Sequence, residues 1–386
     1  MVSLEQVSPV GLYIHIPWCI RKCPYCDFNS HELKGNIQEK EYVAALLRDL
    51  DFDLKVAGAV QIETIFLGGG TPSLFSPEAI AELLAGVRAR VACKPGLEVS
   101  MEANPGTVES GRFKGFRQAG INRLSMGIQS FDDEMLKRLG RIHSGQEAIN
   151  AIEIAQAAGF DNLNLDLMFG LPNQTAEKAL ADLNQALAFD PLHLSHYQLT
   201  IEPNTFFYKQ PPKLPEDDDC WEIQQGCKQL LETKGYEQYE ISAWSRPHHR
   251  CQHNLNYWRF GDYLGIGAGA HGKIHSMGGE EITRIWKVKN PRDYLQSAGG
   301  AAVLGGRNHL SRQDLPLEFI MNSLRLKEGF KPSLFESQTG LAWSHISDDI
   351  LRLKGEGLLV IDSQGVRCSD KGWSFLDELL QRFVPS

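Results

Sequence analysis

Three cysteines, Cys19, Cys23 and Cys26, crowd into "CIRKCPYC" at C-x3-C-x2-C spacing, while the other five of the chain's eight cysteines are scattered. Thiols packed this densely staple a loop, hold a zinc ion, or carry corners of an iron–sulfur cluster. Three cysteines cannot all pair with one another, and a reduced cytosolic setting disfavours disulfides. A dithiol redox pair would leave one of the three idle. Zinc asks for four ligands, and His15 or His31 offers the fourth of a Cys3His set. A 4Fe–4S cluster on three thiolates leaves one iron without a protein ligand, which is useful only if a small molecule binds there. The spacing favours the cluster and keeps zinc as its competitor.

A second set of candidates recurs at the ends of β-rich runs. "GGGTP" (68–72) follows one run, Glu102 ends another in "MEANP", and Gln129 ends a third in "GIQSF". Asp166 lies in "NLDLMFGLP", and Thr200 and Glu202 close the sixth run. Taken singly, Glu102 or Asp166 reads as a structural cap or a solvated end. A polar group or glycine turn after every run instead describes one ligand site ringed by all six. "GGGTP" lacks the G-K-[ST] of a phosphate-binding loop, so its glycines make either a tight turn or a close backbone approach to a ligand. Neighbouring carboxylates and amides suit a ligand with hydroxyls and an amine. Arg141 suits a carboxylate, unless it is an ordinary exposed arginine.

The elements that must position these groups follow from periodicity. "GLYIHI" (11–16), "IETIFLG" (62–68), "LEVSME" (97–102), "NRLSMGI" (122–128), "NLNLDLM" (162–168) and "HLSHYQL" (193–199) read as strands. Between them lie helical stretches, such as Val43, Leu46, Leu47, Leu50 and Leu54 at i, i+3, i+4, i+7 spacing. Ser76 and Pro77 supply an N-cap and first-turn proline. Six strand–helix repeats predict an α/β fold, a parallel sheet curled into a barrel or left partial. In such a fold reactive groups collect at the C-terminal strand ends. After residue 200 "KQPPKLPEDDDC" (209–220) reads as a surface loop or linker, and a helix and irregular glycine-rich segments run to about residue 300, including "GDYLGIGAGAHG" (261–272). From Asp314 the pattern is helix, helix, hairpin, helix, a winged-helix-like α+β appendage. Residues 314–386 hold 8 Lys/Arg against 11 Asp/Glu, which disfavours a DNA-binding role for it. The boundaries drawn are 1–205, 206–310 and 311–386.

The 386 residues, 42% hydrophobic and 23% charged, have the balance of a soluble globular protein. A net charge of −9 disfavours nucleic acid as the main partner. The N-terminal segment lacks the pattern of a signal peptide, and no apolar run approaches the ~18 residues of a spanning helix. The expected location is cytoplasmic.

Together "YIHIPWCIRKCPYC", "GGGTP", "MEANP", "GIQSF", "LGRIH" and "NLDLMFGLP" resemble the radical S-adenosylmethionine (SAM) proteins. The branch in question contains oxygen-independent coproporphyrinogen III dehydrogenase and the HemW-type heme chaperones. The resemblance implies a partial (β/α)6 barrel with Cys19, Cys23 and Cys26 on a 4Fe–4S cluster whose open iron takes SAM. Tyr13 and Tyr25 would line that pocket, with Gly69, Gly70 and Thr71 at the methionine end. Glu102, Gln129, Arg141 and Asp166 would hold the ribose hydroxyls and the carboxylate. The dehydrogenase carries a further cysteine two positions past the third, where this chain has Phe28, and a longer segment before its first strand. "CQHNLNYWRFGDYLGIGAGAHG" (251–272) contains the H-N-x-x-Y-W pattern of the HemW type. The resemblance therefore implies a protein that binds heme and delivers it to respiratory-chain acceptor proteins. It leaves room for a homodimer and for peripheral contact with the inner face of the membrane. A radical SAM enzyme acting on a tetrapyrrole is the alternative.

Five of the twelve histidines, His248, His249, His253, His271 and His275, fall within 28 residues. Imidazole ligates heme iron, and Tyr257 and Trp258 offer flat faces to a porphyrin. His253 is the expected axial ligand, with His271, His275 and Cys251 next in line. The competing reading makes His253 and Asn254 partners of buried backbone groups, with Tyr257 and Trp258 packed in a core.

Overall fold

The computed structural model describes residues 7–107, 110–276 and 281–385. Within it the six apolar runs form strands β1 (Ser8–Ile16), β2 (Val60–Gly69), β3 (Ala92–Ala103), β4 (Arg123–Gln129), β5 (Leu163–Phe169) and β6 (His193–Gln198). They pair in parallel and in chain order. Each strand contributes apolar residues to the main core. Leu12, Ile14, Ile65, Met101, Leu124 and Leu165 are fully buried. Helix α1 (Glu39–Ala57) buries Val43, Leu46 and Leu50. Helix α2 (Pro77–Arg88) starts where expected, the Ser76 hydroxyl accepting the Ala79 N–H and Pro77 opening the first turn.

The chain beyond residue 200 stays in the same sheet, where irregular segments were expected. A hairpin of β7 (Glu237–Glu240) and β8 (Ala243–Ser245) adds antiparallel to β6. Strand β9 (Asp262–Ile266) lies parallel beside β1, and β10 (His271–His275), β11 (Ile282–Lys287) and β12 (Leu304–His309) extend that edge antiparallel. Among the described residues the sheet has twelve strands, with β12 and β7 at its edges. The glycines of "GDYLGIGAGAHG" mark backbone crowding. A Cβ on Gly265 would run into the His271 carbonyl, and one on Gly267 into that of His15. The acidic end of "KQPPKLPEDDDC" also departs from the expected loop: it opens a helix, Asp217–Thr233, with three aspartates in the first turn. Carboxylates there oppose the positive end of the helix dipole.

The β9–β12 extension is clamped to α1. Lys287 Nζ lies 2.6 Å from Asp49 Oδ1 and 2.5 Å from Asp53 Oδ1, all three buried. The Tyr294 hydroxyl donates to Asp49 at 2.8 Å. The C-terminal region folds as helices Leu315–Ser323, Pro332–Thr339 and Ser347–Gly355, then hairpin β13 (Leu359–Asp362) and β14 (Gly365–Cys368), then short helices. This is the winged-helix-like pattern. Its core of Phe319, Phe330, Phe335, Ile350 and Val366 also contains Phe260 and Ile282, which tie it to the sheet.

Candidate functional site

Parallel strands β1–β6 point their C-terminal ends the same way, and a cavity of about 610 Å³ opens there. Cys19, Cys23, Cys26, Tyr13, Tyr25, Gly69, Gly70, Thr71, Glu102, Gln129, Arg141, Asp166 and His253 all line it. Residues up to 240 positions apart in sequence thus share one space.

The cysteine loop leaves β1 and is held down from the far strands. Asn29 Nδ2 donates to the carbonyls of Ala268 (2.9 Å) and Lys289 (3.0 Å). His31 Nε2 bonds the Lys289 carbonyl at 3.2 Å. His15 spends both ring nitrogens, Nδ1 on the Tyr13 hydroxyl (3.0 Å) and Nε2 on the Asn29 carbonyl (2.9 Å). Of the two candidates for a fourth zinc ligand, His15 is therefore fully committed, and His31 is held through one nitrogen. Among the described residues no three His, Cys, Asp or Glu side chains converge on one ion position. Zinc requires such convergence, whereas a cluster bonds each thiolate to a different iron.

Each sulfur instead meets polar neighbours. The Thr71 hydroxyl donates to Cys19 Sγ at 3.5 Å, and Arg141 Nη1 to Cys23 Sγ at 3.5 Å. Cys26 Sγ lies 3.8 Å from the Ser30 hydroxyl. Burial pushes the thiols of Cys19 and Cys26 up, so the thiolates need positive charge to form. Iron supplies that charge. The donor set fits a cluster.

Gly69 and Gly70 let this loop lie on β2. Gly69 has φ +111°, and a Cβ there would enter the His15 ring. A Cβ on Gly70 would lie 2.5 Å from the Trp18 carbonyl. The tight-turn reading of "GGGTP" accounts for both glycines, and protein fills the space their side chains would take.

The cavity floor carries opposed charges. Glu102 Oε2 accepts the Gly69 N–H at 3.0 Å. Burial, then the neighbouring Asp166 charge, push its carboxyl up to about 7. Asp166 accepts from the Ser125 hydroxyl (3.1 Å) and Asn164 Nδ2 (2.7 Å), and burial raises it too. Gln129, at φ +68° where the β4–β5 register shifts, accepts the Tyr197 hydroxyl at 2.7 Å. Arg141 Nη2 donates to the Gly127 carbonyl at 2.7 Å, while its Nε is buried without an acceptor. Arg123 Nε is likewise buried and unpaired. Unspent cationic donors beside two carboxylates fit a zwitterionic ligand rich in hydroxyls, as SAM is.

Sequence reasoning missed Arg123, Ser125, Asn164 and Tyr197, all of which line the cavity. Their signal was alternation: "RLSMG" (123–127) and "NLNLD" (162–166) place a polar residue or glycine at every second position, so one face of β4 and β5 points inward.

His253 has another task than the one expected. It is 1% exposed and stacks on Phe66 with ring centres 5.2 Å apart. Its Nδ1 bonds the Thr64 hydroxyl at 2.8 Å and its Nε2 the Tyr257 hydroxyl at 2.7 Å. Burial, then the Arg123 charge, lower its pKa to about 3. A neutral imidazole with both nitrogens engaged positions Tyr257 and has no lone pair left for iron. It is buried as the competing reading expected, but its partners are two side-chain hydroxyls, not backbone groups.

These features place the chain among radical SAM proteins: the radical SAM superfamily model matches residues 13–186, and the HemN C-terminal domain model matches residues 310–375. The fold is that of the Escherichia coli coproporphyrinogen III oxidase HemN, described as a radical SAM enzyme. The TM-score is 0.82 at 24% identity, over 99% of this chain and 91% of that one. The "Heme chaperone HemW" of Haemophilus influenzae is 49% identical over 385 residues, 99% of each chain. That of Escherichia coli is 49% identical over 381 residues, 99% of this chain and 100% of that protein. The mouse "Radical S-adenosyl methionine domain-containing protein 1, mitochondrial" is 35% identical over 99% of this chain and 89% of its own length. The chain belongs to the HemW family.

Proposed function

We propose that this protein carries heme beside a 4Fe–4S cluster and SAM, and delivers the heme to respiratory-chain acceptor proteins. The observation that carries this reading is end-to-end 49% identity to two proteins named heme chaperone. The cavity supports the cofactor set. In this reading Cys19, Cys23 and Cys26 hold the cluster, and Arg141 meets the carboxylate of SAM. Glu102, Gln129 and Asp166 meet its hydroxyls, Tyr13 and Tyr25 form walls, and Gly69, Gly70 and Thr71 frame the methionine end. Cluster and SAM together supply one-electron chemistry when bound; the chain's own residues orient the ligand and keep water away. Residues 1–205 would carry the cofactors, 206–310 the adjoining wall, and 311–386 a docking appendage. No described helix is long and apolar enough to cross a membrane. The reading places the protein in the cytoplasm, meeting membrane-bound acceptors at the inner face, alone or as a homodimer.

The test is anaerobic reconstitution followed by three measurements on one sample. Iron and sulfide should each reach about four per chain. Heme should bind and pass to a heme-free respiratory acceptor. Coproporphyrinogen III, with SAM and a reductant, should not be oxidised, because Phe28 offers no thiol where the dehydrogenase has a cysteine. Turnover above background would favour the tetrapyrrole-enzyme alternative, and stoichiometric zinc without iron would sink both.

A further inference from the structure

A heme carrier needs a place for a flat, largely apolar disc with two carboxylates, and a second cavity has that character. It measures about 500 Å³ and adjoins the first, the two sharing Tyr13, Asp27, Phe28, Gly69, Glu102 and Tyr257. Phe28 on the cysteine loop, Tyr257 and Trp258 on the helix Gln252–Trp258, and Tyr263 on β9 give it aromatic walls. Tyr257 and Tyr263 meet edge to face with ring centres 4.6 Å apart. Phe28 is 58% exposed, a large aromatic ring left in water at the boundary of the two cavities. The Trp258 indole N–H is buried with no acceptor among the described residues.

One histidine lines this cavity with its ring uncommitted. His271 opens β10, stacks on Trp286 across the β10–β11 pair at 6.3 Å, and makes no hydrogen bond through its ring among the described residues. The other clustered donors are spent or elsewhere. His253 is engaged as described. His275 bonds Asp262 Oδ1 through Nδ1 (2.6 Å) and the Gln338 carbonyl through Nε2 (2.7 Å). Cys251 is fully buried and donates to Glu98. His248 and His249 line neither cavity. Burial, then the charges of Lys289 and Arg284, lower the pKa of His271, which keeps a lone pair available near pH 7. Arg284 is paired with Glu318, but Lys289 forms no ion pair among the described residues and lines the same cavity.

We propose that heme docks in this second cavity, with His271 as axial ligand, the macrocycle against Trp258 and Tyr263, and a propionate at Lys289. The proposal rests on the heme-carrying reading above and assigns its site. It also sets the heme edge beside the cysteine loop, with Phe28 and Tyr13 between the two ligands.

The test titrates the full, cluster-loaded chain anaerobically with heme and follows the Soret band. His271→Ala should lose the imidazole-ligated spectrum and bind heme at least about tenfold more weakly. Added imidazole should restore the spectrum, and iron and sulfide content should match the parent protein. Lys289→Glu should weaken heme binding severalfold at an unchanged Soret position, and should leave binding of heme dimethyl ester as in the parent. If the parent binds heme and His271→Ala changes neither spectrum nor affinity, the site is wrong and the carrier reading stands. If the parent does not bind heme stoichiometrically, the carrier reading falls and the site with it. Should His271→Ala lose its cluster, Lys289→Glu decides: unchanged heme affinity overturns the pocket.

Discussion

Replacing Glu102 by glutamine should strengthen the fold and weaken the ligand at once. The folded carboxyl titrates at about 7, against an ordinary value of 4.5. Between those values the folded state holds a proton that the unfolded chain has released. Stability of the parent therefore falls as pH rises through this window and stays low above it. The shift of ~2.5 units corresponds to about 3 kcal/mol. Glutamine never ionises, and its carbonyl still accepts the Gly69 N–H. Without SAM, Glu102→Gln should exceed the parent by about 1 kcal/mol at pH 5 and about 3 kcal/mol at pH 8, read by anaerobic urea denaturation. SAM binding reverses the preference, because ribose hydroxyls bond best to an ionised acceptor. Losing that charge should cost about 1.5–3 kcal/mol, or roughly 10–100-fold in affinity by calorimetry. In the parent, affinity should rise with pH up to about 7; in the variant it should be flat. A variant less stable than the parent at pH 8, or a pH-independent gap, would refute the reasoning.

Alanine at any one of Cys19, Cys23 and Cys26 should bring iron from about four per chain to near zero, while alanine at Cys93 or Cys368 should leave it unchanged by iron and sulfide analysis. Gly69→Ala meets both the positive φ and the His15 ring, and should lower unfolding free energy by about 1–3 kcal/mol; parent-like stability would show that the crowding is illusory. Arg141→Lys keeps the charge but not the fork that reaches Cys23 Sγ and the Gly127 carbonyl together. SAM affinity should drop about tenfold with iron content intact.

The parallel sheet was legible because each run carries a buried apolar row and ends on a chemically unusual residue. "IETIFLG" and "HLSHYQL" fall within a few residues of the strands they form. Strand β9 was hidden by Gly265 within it and Gly267 just beyond it. Glycine density signals a loop when nothing else is known, but here Gly265 and Gly267 are small because neighbouring carbonyls occupy their side-chain space. The cavity lining was legible as a set, since strand ends in a parallel sheet converge. Partnership was not legible. That His253 reaches Thr64, 189 positions away, depends on β9 packing beside β1, a pairing that its own segment does not announce. The choice between His253 and His271 turns on which nitrogens are already bonded, and spacing carries no record of that.

The anchoring of the cysteine loop has a consequence for how the protein is made. Cys19, Cys23 and Cys26 leave the ribosome well before their anchors, since Asn29 docks on carbonyls 239 and 260 residues further on. At about 5–20 residues per second, those anchors emerge on the order of 13–50 s after the thiols. Throughout that interval the loop has no frame, and its three thiols are open to oxidation and to stray metals. If these thiols hold the proposed cluster, its delivery to the finished site is a late event, after β9 has docked against β1. A cell making this chain must keep the thiols reduced and unmetallated during translation.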